Sequence, residues 1–404
     1  MIVATMYLNT ISGILFGTLL VLFINLLHNL LVFDRLKSAT REGLQSKPGT
    51  CPMVSILVPA RNEADHIEEC VRSLIGQRYE KLEVLVLDDQ STDETPTIVQ
   101  QMIDELPPEQ KSRLHLLHGE TLPDGWIGKN FACYQLTLYA QGDYLLFTDA
   151  DSVHAPQMVS TVIQGLYDLG VQFLTAHPHY ILRGIGERLT IPLLYFKIFT
   201  LLPLVLVRHR PEPILAVANG PLLCFQRSVY EEIGGHKAVK TSILEDNSLA
   251  RRVKAAGYRM GYVDGQDLVS CYMYDSFAEL WAAFSRTFFA FYNYSLLAAL
   301  AIIILDVTLF VVPPLLALAS LFVPLAPVTL LFSLGSYTLA VLMRILLTLT
   351  CARSQSVPLM LLSLLHPISI LLECLFLLNS IRWHYRKKGA MWKGRYYVQE
   401  VIVH

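Results

Sequence analysis

Charge is what this sequence has little of. Asp, Glu, Lys and Arg supply 16% of its 404 residues against 53% hydrophobic residues, where soluble domains carry about a quarter charged residues. A net charge of -2 argues against a nucleic-acid binder, which calls for a concentrated basic face. The seven cysteines, at 51, 70, 133, 224, 271, 351 and 374, form no C-x-x-C pair. That removes a zinc site and leaves reduced thiols as the expectation for a cytoplasm-facing domain. Neither G-x-G-x-x-G after the first strand nor G-x-x-x-x-G-K-[ST] occurs, so an ordinary dinucleotide fold and a P-loop are set aside. Internal repeats and low-complexity tracts are absent as well.

What is present is unevenly placed. The run Thr10 to Phe33 is long enough for one membrane span, which needs about 20 residues. No Lys or Arg precedes it and large residues fill its end, so an uncleaved anchor is expected rather than a signal peptide. Three more runs, Leu296 to Val323, Val328 to Thr350 and Val357 to Ile381, are of spanning length, and Pro313-Pro314 is expected to kink or split the first. The division is therefore an anchor (1–33), a cytoplasmic domain (34–290), a transmembrane region (291–381) and a basic tail (382–404). Arg35, Lys37, Arg41 and Lys47 follow the anchor and put the domain in the cytoplasm. The tail's charge wants the same side, whereas three crossings would place it opposite. A re-entrant segment, or a split at the two prolines, resolves that conflict.

Between these runs, strand and helix patterns alternate. Met53–Ala60, Leu82–Asp89, Arg113–Gly119 and Asp143–Asp151 read as strands, and residues 62–77, 91–106 and 128–141 as helices. Strict alternation predicts an α/β fold with a mostly parallel sheet, whose ligands bind beyond the carboxyl ends of the strands. Three strands run out into polar loops there: PARNE, DDQSTD and TDADS. Asp149 and Asp151, two apart on an extended segment, project to one face and repel unless a cation lies between them. A solvated turn is the plain alternative. Convergence of three polar loops favours a nucleotide-diphosphate ligand held through Mg²⁺ or Mn²⁺, hard ions that prefer oxygen.

The ordered set ILVPARNEADHIEECVRSLIGQ, LEVLVLDDQSTDET, GWIGKNFA, FTDADS and LEDNSLARRVKAAGYRMGYVDG resembles the family 2 inverting glycosyltransferases of GT-A fold, over about Val54 to Arg286. The resemblance implies that Pro59, Ala60, Glu63 and Asp88 line the uridine and ribose pocket. It makes Asp149 a ribose and metal-side contact and Asp151 the main metal ligand. Asp89, Ser91 and Asp93 join this pocket or cap the following helix. Lys129 lies where a cation meets the diphosphate, or is an ordinary surface lysine. Glu245-Asp246, starting a helix, complement its dipole or supply the general base. The family pattern prefers Asp246 to Glu245. Residues 216–236 read as strand, turn and helix, with Asn219-Gly220 and Gly234-Gly235-His236 as pocket loops.

Processive relatives carry Q-x-x-R-W. Here Arg286 stands, but Ala283 and Thr287 hold the Gln and Trp positions, which implies one sugar per acceptor. Arg286 helps neutralise the diphosphate or marks the edge of the next span. The apolar segment 188–207 has basic flanks and is expected to lie at the membrane interface. With PDGWIGKNFACYQ and W-K-G-R-Y, the chain looks like bacterial membrane transferases of carotenoid, hopanoid or glycolipid pathways, in the inner membrane. The implied partners are a nucleotide-diphosphate sugar and a lipid hydroxyl. A polyprenyl phosphate acceptor and a non-catalytic assembly role stay open. Arg344 and Glu373, costly in hydrocarbon, are expected to pair with each other, or Arg344 to snorkel near a helix end, a structural role being preferred to acceptor handling.

Overall fold

The computed structural model describes residues 2–36, 51–274, 276–386, 390–392 and 395–397. Lys37, Arg41, Lys47 and much of the tail, on which the orientation reasoning leaned, lie outside them. Ten strands lie between the first apolar helix and the last three: β1 Val54–Ala60, β2 Leu82–Asp88, β3 Leu114–His118, β4 Tyr144–Phe147, β5 Ser152–His154, β6 Phe173–His177, β7 His179–Ile181, β8 Leu223–Gln226, β9 Met260–Asp264 and β10 Val269–Tyr272. Seven form one sheet in the order β3-β2-β1-β4-β8-β6-β9, and β5-β10-β7 form a second. In the large sheet β8 runs antiparallel to β4 and β6; the other pairings are parallel. Every residue of β1 and β2 is buried, as runs of Val, Ile and Leu covered on both faces require.

The expected alternation is there, with two helices starting late. Ile67–Ile75 and Thr95–Glu105 begin several residues after the loops predicted to open them. The intervening Asn62 and Ser91 bind the neighbouring loop, and Asp93 holds both that loop and Thr95 at the start of its own helix. Residues 216–236 also differ from expectation in order. The Asn219-Gly220 turn comes first and β8 follows it, because Asn219 N donates to Thr175 Oγ1 at 3.0 Å on β6.

Four helices are long and apolar enough to cross a membrane: Thr5–Val32, Leu296–Ala319, Pro327–Cys351 and Val357–Tyr385. The prolines do not split the second of these. It widens into a π-turn at Val307–Val311, which relieves the clash of each proline ring with the carbonyl four residues back. Its 24 residues span about 36 Å at 1.5 Å each, long enough for one crossing.

Segment 188–207 is broken at Pro203 into helices Ile185–Leu201 and Leu204–His209. The longer helix is enclosed by the apolar ones. Asn29 Nδ2 on the first helix donates to Phe199 O and Leu202 O, each at 2.7 Å, and Asn29 Oδ1 accepts from Leu204 N at 2.8 Å. Arg344 donates to Arg188 O (3.1 Å), Leu189 O (2.9 Å) and Ser369 Oγ (2.7 Å). The expected Arg344–Glu373 pair does not form, because Lys197 reaches Glu373 first, at 2.7 Å, and Asp306 at 2.8 Å.

Candidate active site

The loops after β1 and β2 are laced together at the carboxyl edge of the sheet. Asn62 and Gln90 take left-handed backbone angles, φ 52° and 56°, costly for residues with a Cβ unless the surroundings hold them. They are held. Arg61 Nη1 donates to Asp89 O at 2.5 Å and Gln90 O at 2.7 Å. Asn62 N donates to Ser91 Oγ at 3.0 Å, and Asn62 Oδ1 accepts from Thr92 N at 2.8 Å. Glu63 N donates to Thr95 Oγ1 at 2.8 Å. The Asp93 carboxylate accepts from Thr95 and from Ala64 N. Burial works against its charge, but those hydrogen bonds win and hold it below the usual carboxylate range. Asp88 is buried beside Ala60 in register and accepts from Ser91 N at 3.1 Å. Ser91 and Asp93 are thus loop ties that rigidify the edge carrying Pro59, Ala60, Glu63 and Asp88.

Lys129 joins the next two parts. It stands in the first turn of helix Gly128–Tyr139. Its Nζ lies 2.6 Å from Asp149 Oδ1 and 2.8 Å from Glu245 Oε1. Burial disfavours its charge, but the two carboxylates more than offset this and hold the ammonium well above its ordinary value. The next residue fixes the geometry: Asn130 Nδ2 donates to Val239 O and Ser242 O, both at 2.9 Å. The loop leading to Glu245 is thereby tied to the helix that carries Lys129. Gly220 lies against the bridge, where a Cβ would sit 3.0 Å from Asp149 Oδ2. His236 is buried rather than a surface loop residue. It shares a 2.7 Å hydrogen bond with Tyr230 Oη and lines a small recess with Pro59, Lys129, Asp149, Gly220 and Glu245.

Asp151 follows on the same turn, and its backbone carbonyl accepts from Tyr272 N at 3.4 Å. Its carboxylate stands near Cys70, Cys271 and Tyr274; burial first, and its charge second, push the Cys70 and Cys271 thiols up. Arg286, on helix Phe277–Phe291, lies on this side near Tyr274 and lines neither the recess nor the larger cavity described next. No group of three or more His, Cys, Asp or Glu gathers for a metal among the described residues. The donor set of Asp149 and Asp151 fits an ion of another habit. Mg²⁺-type ions take one or two carboxylates and complete their shell with water and substrate phosphates.

Asp246 faces elsewhere. It lines a cavity of about 620 Å³ between the sheet and the apolar helices, walled also by Asn219, Tyr262, Tyr292, Lys197 and Glu373. Its Oδ1 accepts from Asn247 N at 2.6 Å. Burial, and then the neighbouring Glu245 charge, push its carboxyl up to about 7, against the pull of Asn247 N–H and Lys129. The two adjacent acids are therefore differentiated: Glu245 is tied to Lys129, and Asp246 is directed to the cavity. Sequence reasoning missed the cavity and its Lys197–Asp306–Glu373 cluster. The signal was a lone Lys and two acids, each within an otherwise apolar run.

Residues 55–234 match Glycosyl transferase family 2. The chain is 27% identical over 256 residues to the 4,4'-diaponeurosporenoate glycosyltransferase of Staphylococcus haemolyticus (strain JCSC1435), covering 61% of each chain. To the protein of that name from Staphylococcus aureus (strain USA300) it is 25% identical over 234 residues, 55% of this chain and 56% of that one. The matches thus span about three fifths of these relatives' length. The structure of mannosyltransferase PcManGT from Pyrobaculum calidifontis, in complex with GDP-Man and Mn²⁺, superposes over 91% of this chain and 99% of that one, with a TM-score of 0.51 and 21% identity, a likeness of fold. The sheet, its laced carboxyl edge and the sequence match agree: residues 55–234 carry the pattern of glycosyl transferase family 2.

Proposed function

We propose that the protein is a membrane glycosyltransferase that moves one sugar, with inversion, from a nucleotide-diphosphate sugar to a hydroxyl of a lipid acceptor at the cytoplasmic face. The observation that carries this is the position of Asp246, a carboxyl near neutrality on a cavity shared by the catalytic sheet and the apolar helices. Such a cavity suits an apolar acceptor whose polar end must meet the sugar. The names of the relatives point to a carotenoid-like lipid.

In this reading the nucleoside lies along the laced edge, with Pro59, Ala60, Glu63 and Asp88 as its floor. Asp149 and Asp151 would hold Mg²⁺ or Mn²⁺, which neutralises diphosphate charge when bound. Lys129, between Asp149 and Glu245, adds fixed positive charge at the same end. Asp246 takes the proton of the acceptor hydroxyl as its oxygen bonds to the anomeric carbon. The bond from that carbon to the diphosphate breaks from the opposite side, and the electron pair leaves with the diphosphate, so configuration inverts. A base with an apparent pKa near the working pH is best suited to this task.

An acceptor already ionised, as the name diaponeurosporenoate implies for the relatives, needs no base. Asp246→Asn separates the cases. A hydroxyl acceptor predicts a loss of about 10²–10⁴ in turnover; full retained activity overturns the assignment. Mass spectrometry of lipids from cells with and without the chain identifies donor and acceptor together, and calorimetry with UDP and Mn²⁺ tests the donor site.

A further inference from the structure

Two wall residues of the cavity at Asp246, Lys197 and Glu373, form with Asp306 a polar cluster that the glycosyl-transfer chemistry does not use. Lys197, Asp306 and Glu373 come from three different helices. Lys197 Nζ is 2.8 Å from Asp306 Oδ2 and 2.7 Å from Glu373 Oε1, and the Tyr292 hydroxyl lies beside it. The ammonium's three donors are accounted for by these neighbours. Glu373 is different. It is 5% exposed and stands on the cavity wall. Its Oε2 is buried with no hydrogen-bond partner among the described residues. A buried carboxylate oxygen without a donor is costly, and a ligand that brings one removes the cost.

We infer that Glu373 accepts a hydrogen bond from a second hydroxyl of the acceptor lipid, distinct from the hydroxyl that receives the sugar. This rests on the reading of the cavity as a lipid acceptor site. The chemistry selects the group. Ketones, ethers, ionised acids and phosphates bring only acceptors. An anion would also meet two carboxylates against one ammonium in this cluster. Arg251, the other cation on the wall, is engaged with Asn293 Oδ1 at 2.9 Å. An amine would place a second ammonium beside Lys197. A neutral hydroxyl satisfies Glu373 without either conflict, so Glu373 is a specificity-determining residue for diol acceptors.

The test uses the full chain in lipid nanodiscs and a series of probes. These are hexadecane-1-ol, hexadecanediols with the second hydroxyl at carbon 2, 4, 6 or 8, and the matching keto-alcohols. Binding is read by thermal unfolding shifts against probe concentration. At least one diol should bind about tenfold tighter than both the mono-alcohol and its keto partner, the scale of one hydrogen bond to a charged group. Glu373→Leu should abolish that preference and Glu373→Gln, which keeps a carbonyl acceptor, should retain part of it. Equal binding of alcohol, ketone and every diol by the wild-type chain overturns the inference without any variant. So does a preference that survives Glu373→Leu. Sugar transfer from UDP-hexoses to the same probes separates the two claims. Transfer without diol preference sinks only this inference, whereas diol preference without transfer to any alcohol sinks the proposed activity.

Discussion

Replacing Lys129 by Met tests the electrostatic coupling between the donor and acceptor sides. Lys129 Nζ sits 2.6 Å from Asp149 and 2.8 Å from Glu245, and its charge is among the influences that restrain the rise of the Asp246 carboxyl. Removing it leaves Glu245 unneutralised directly beside Asp246, so the Asp246 pKa must climb above about 7. At an effective dielectric of about 20, one charge a few ångströms away is worth a few kcal/mol, and partial solvent screening leaves a shift on the order of one unit. With a pKa of about 7, half of the Asp246 side chains are ionised at pH 7. A one-unit rise leaves about a tenth, so turnover at pH 7 falls about fivefold and recovers at higher pH. The assay is turnover against pH at saturating donor and acceptor, for wild type, Lys129→Met and Asp246→Asn. Wild type should show a basic limb with its midpoint near 7, Lys129→Met the same limb displaced upward, and Asp246→Asn no limb at all. A limb that stays in place without Lys129, or persists in Asp246→Asn, refutes the reasoning.

Stability should also register Asp246. Its folded pKa of about 7 lies above the 3.8 of an ordinary aspartate, so between these values the folded chain holds a proton that the unfolded chain has released. Stability therefore falls as pH rises from about 4 through 7. Asp246→Asn should raise the unfolding midpoint at pH 8 and leave it nearly unchanged at pH 4, the gain being at most about 4 kcal/mol. Gly220→Ala puts a methyl 3.0 Å from Asp149 Oδ2; UDP binding with Mn²⁺ by calorimetry should weaken about tenfold with little change in the unfolding midpoint. Lys197→Met leaves Asp306 and Glu373 buried without their shared cation, a loss of about 3–5 kcal/mol, and Asp306→Asn in the same chain should restore part of it. Both are read from thermal unfolding in detergent.

The parallel half of the sheet was legible because its strands are short apolar runs with turn residues at both ends and helices between. Its carboxyl edge was legible because acids and amides at three such ends have few other uses. Loop content defeated the same reading. Asn62, Ser91 and Asp93 carry the composition of helix caps, and only the fold shows that Asn62 and Ser91 bond across the two loops and that Asp93 bonds both its own helix start and the other loop. The Lys129 bridge was likewise out of reach, since Asp149 and Glu245 meet that lysine from sequence positions far apart. The family pattern prefers Asp246 to Glu245; that Glu245 is tied to Lys129 while Asp246 lines a cavity is visible only in the packing. Periodicity also says nothing about which polar residues inside apolar runs find each other, and the pairing of Glu373 with Lys197 instead of Arg344 is a result of helix arrangement alone.

Asn29 has a consequence for how this chain comes to be built. One side chain closes three backbone hydrogen bonds across the break at Pro203, about 170 residues downstream. The first helix leaves the ribosome long before that break exists, and domains assemble in order of synthesis. It therefore acts as a waiting template, completing the broken segment only once the later chain returns to it. A fragment trimmed to the seven-stranded sheet for solubility would lose more than a tether. It would lose the groups that finish the wall of the cavity at Asp246.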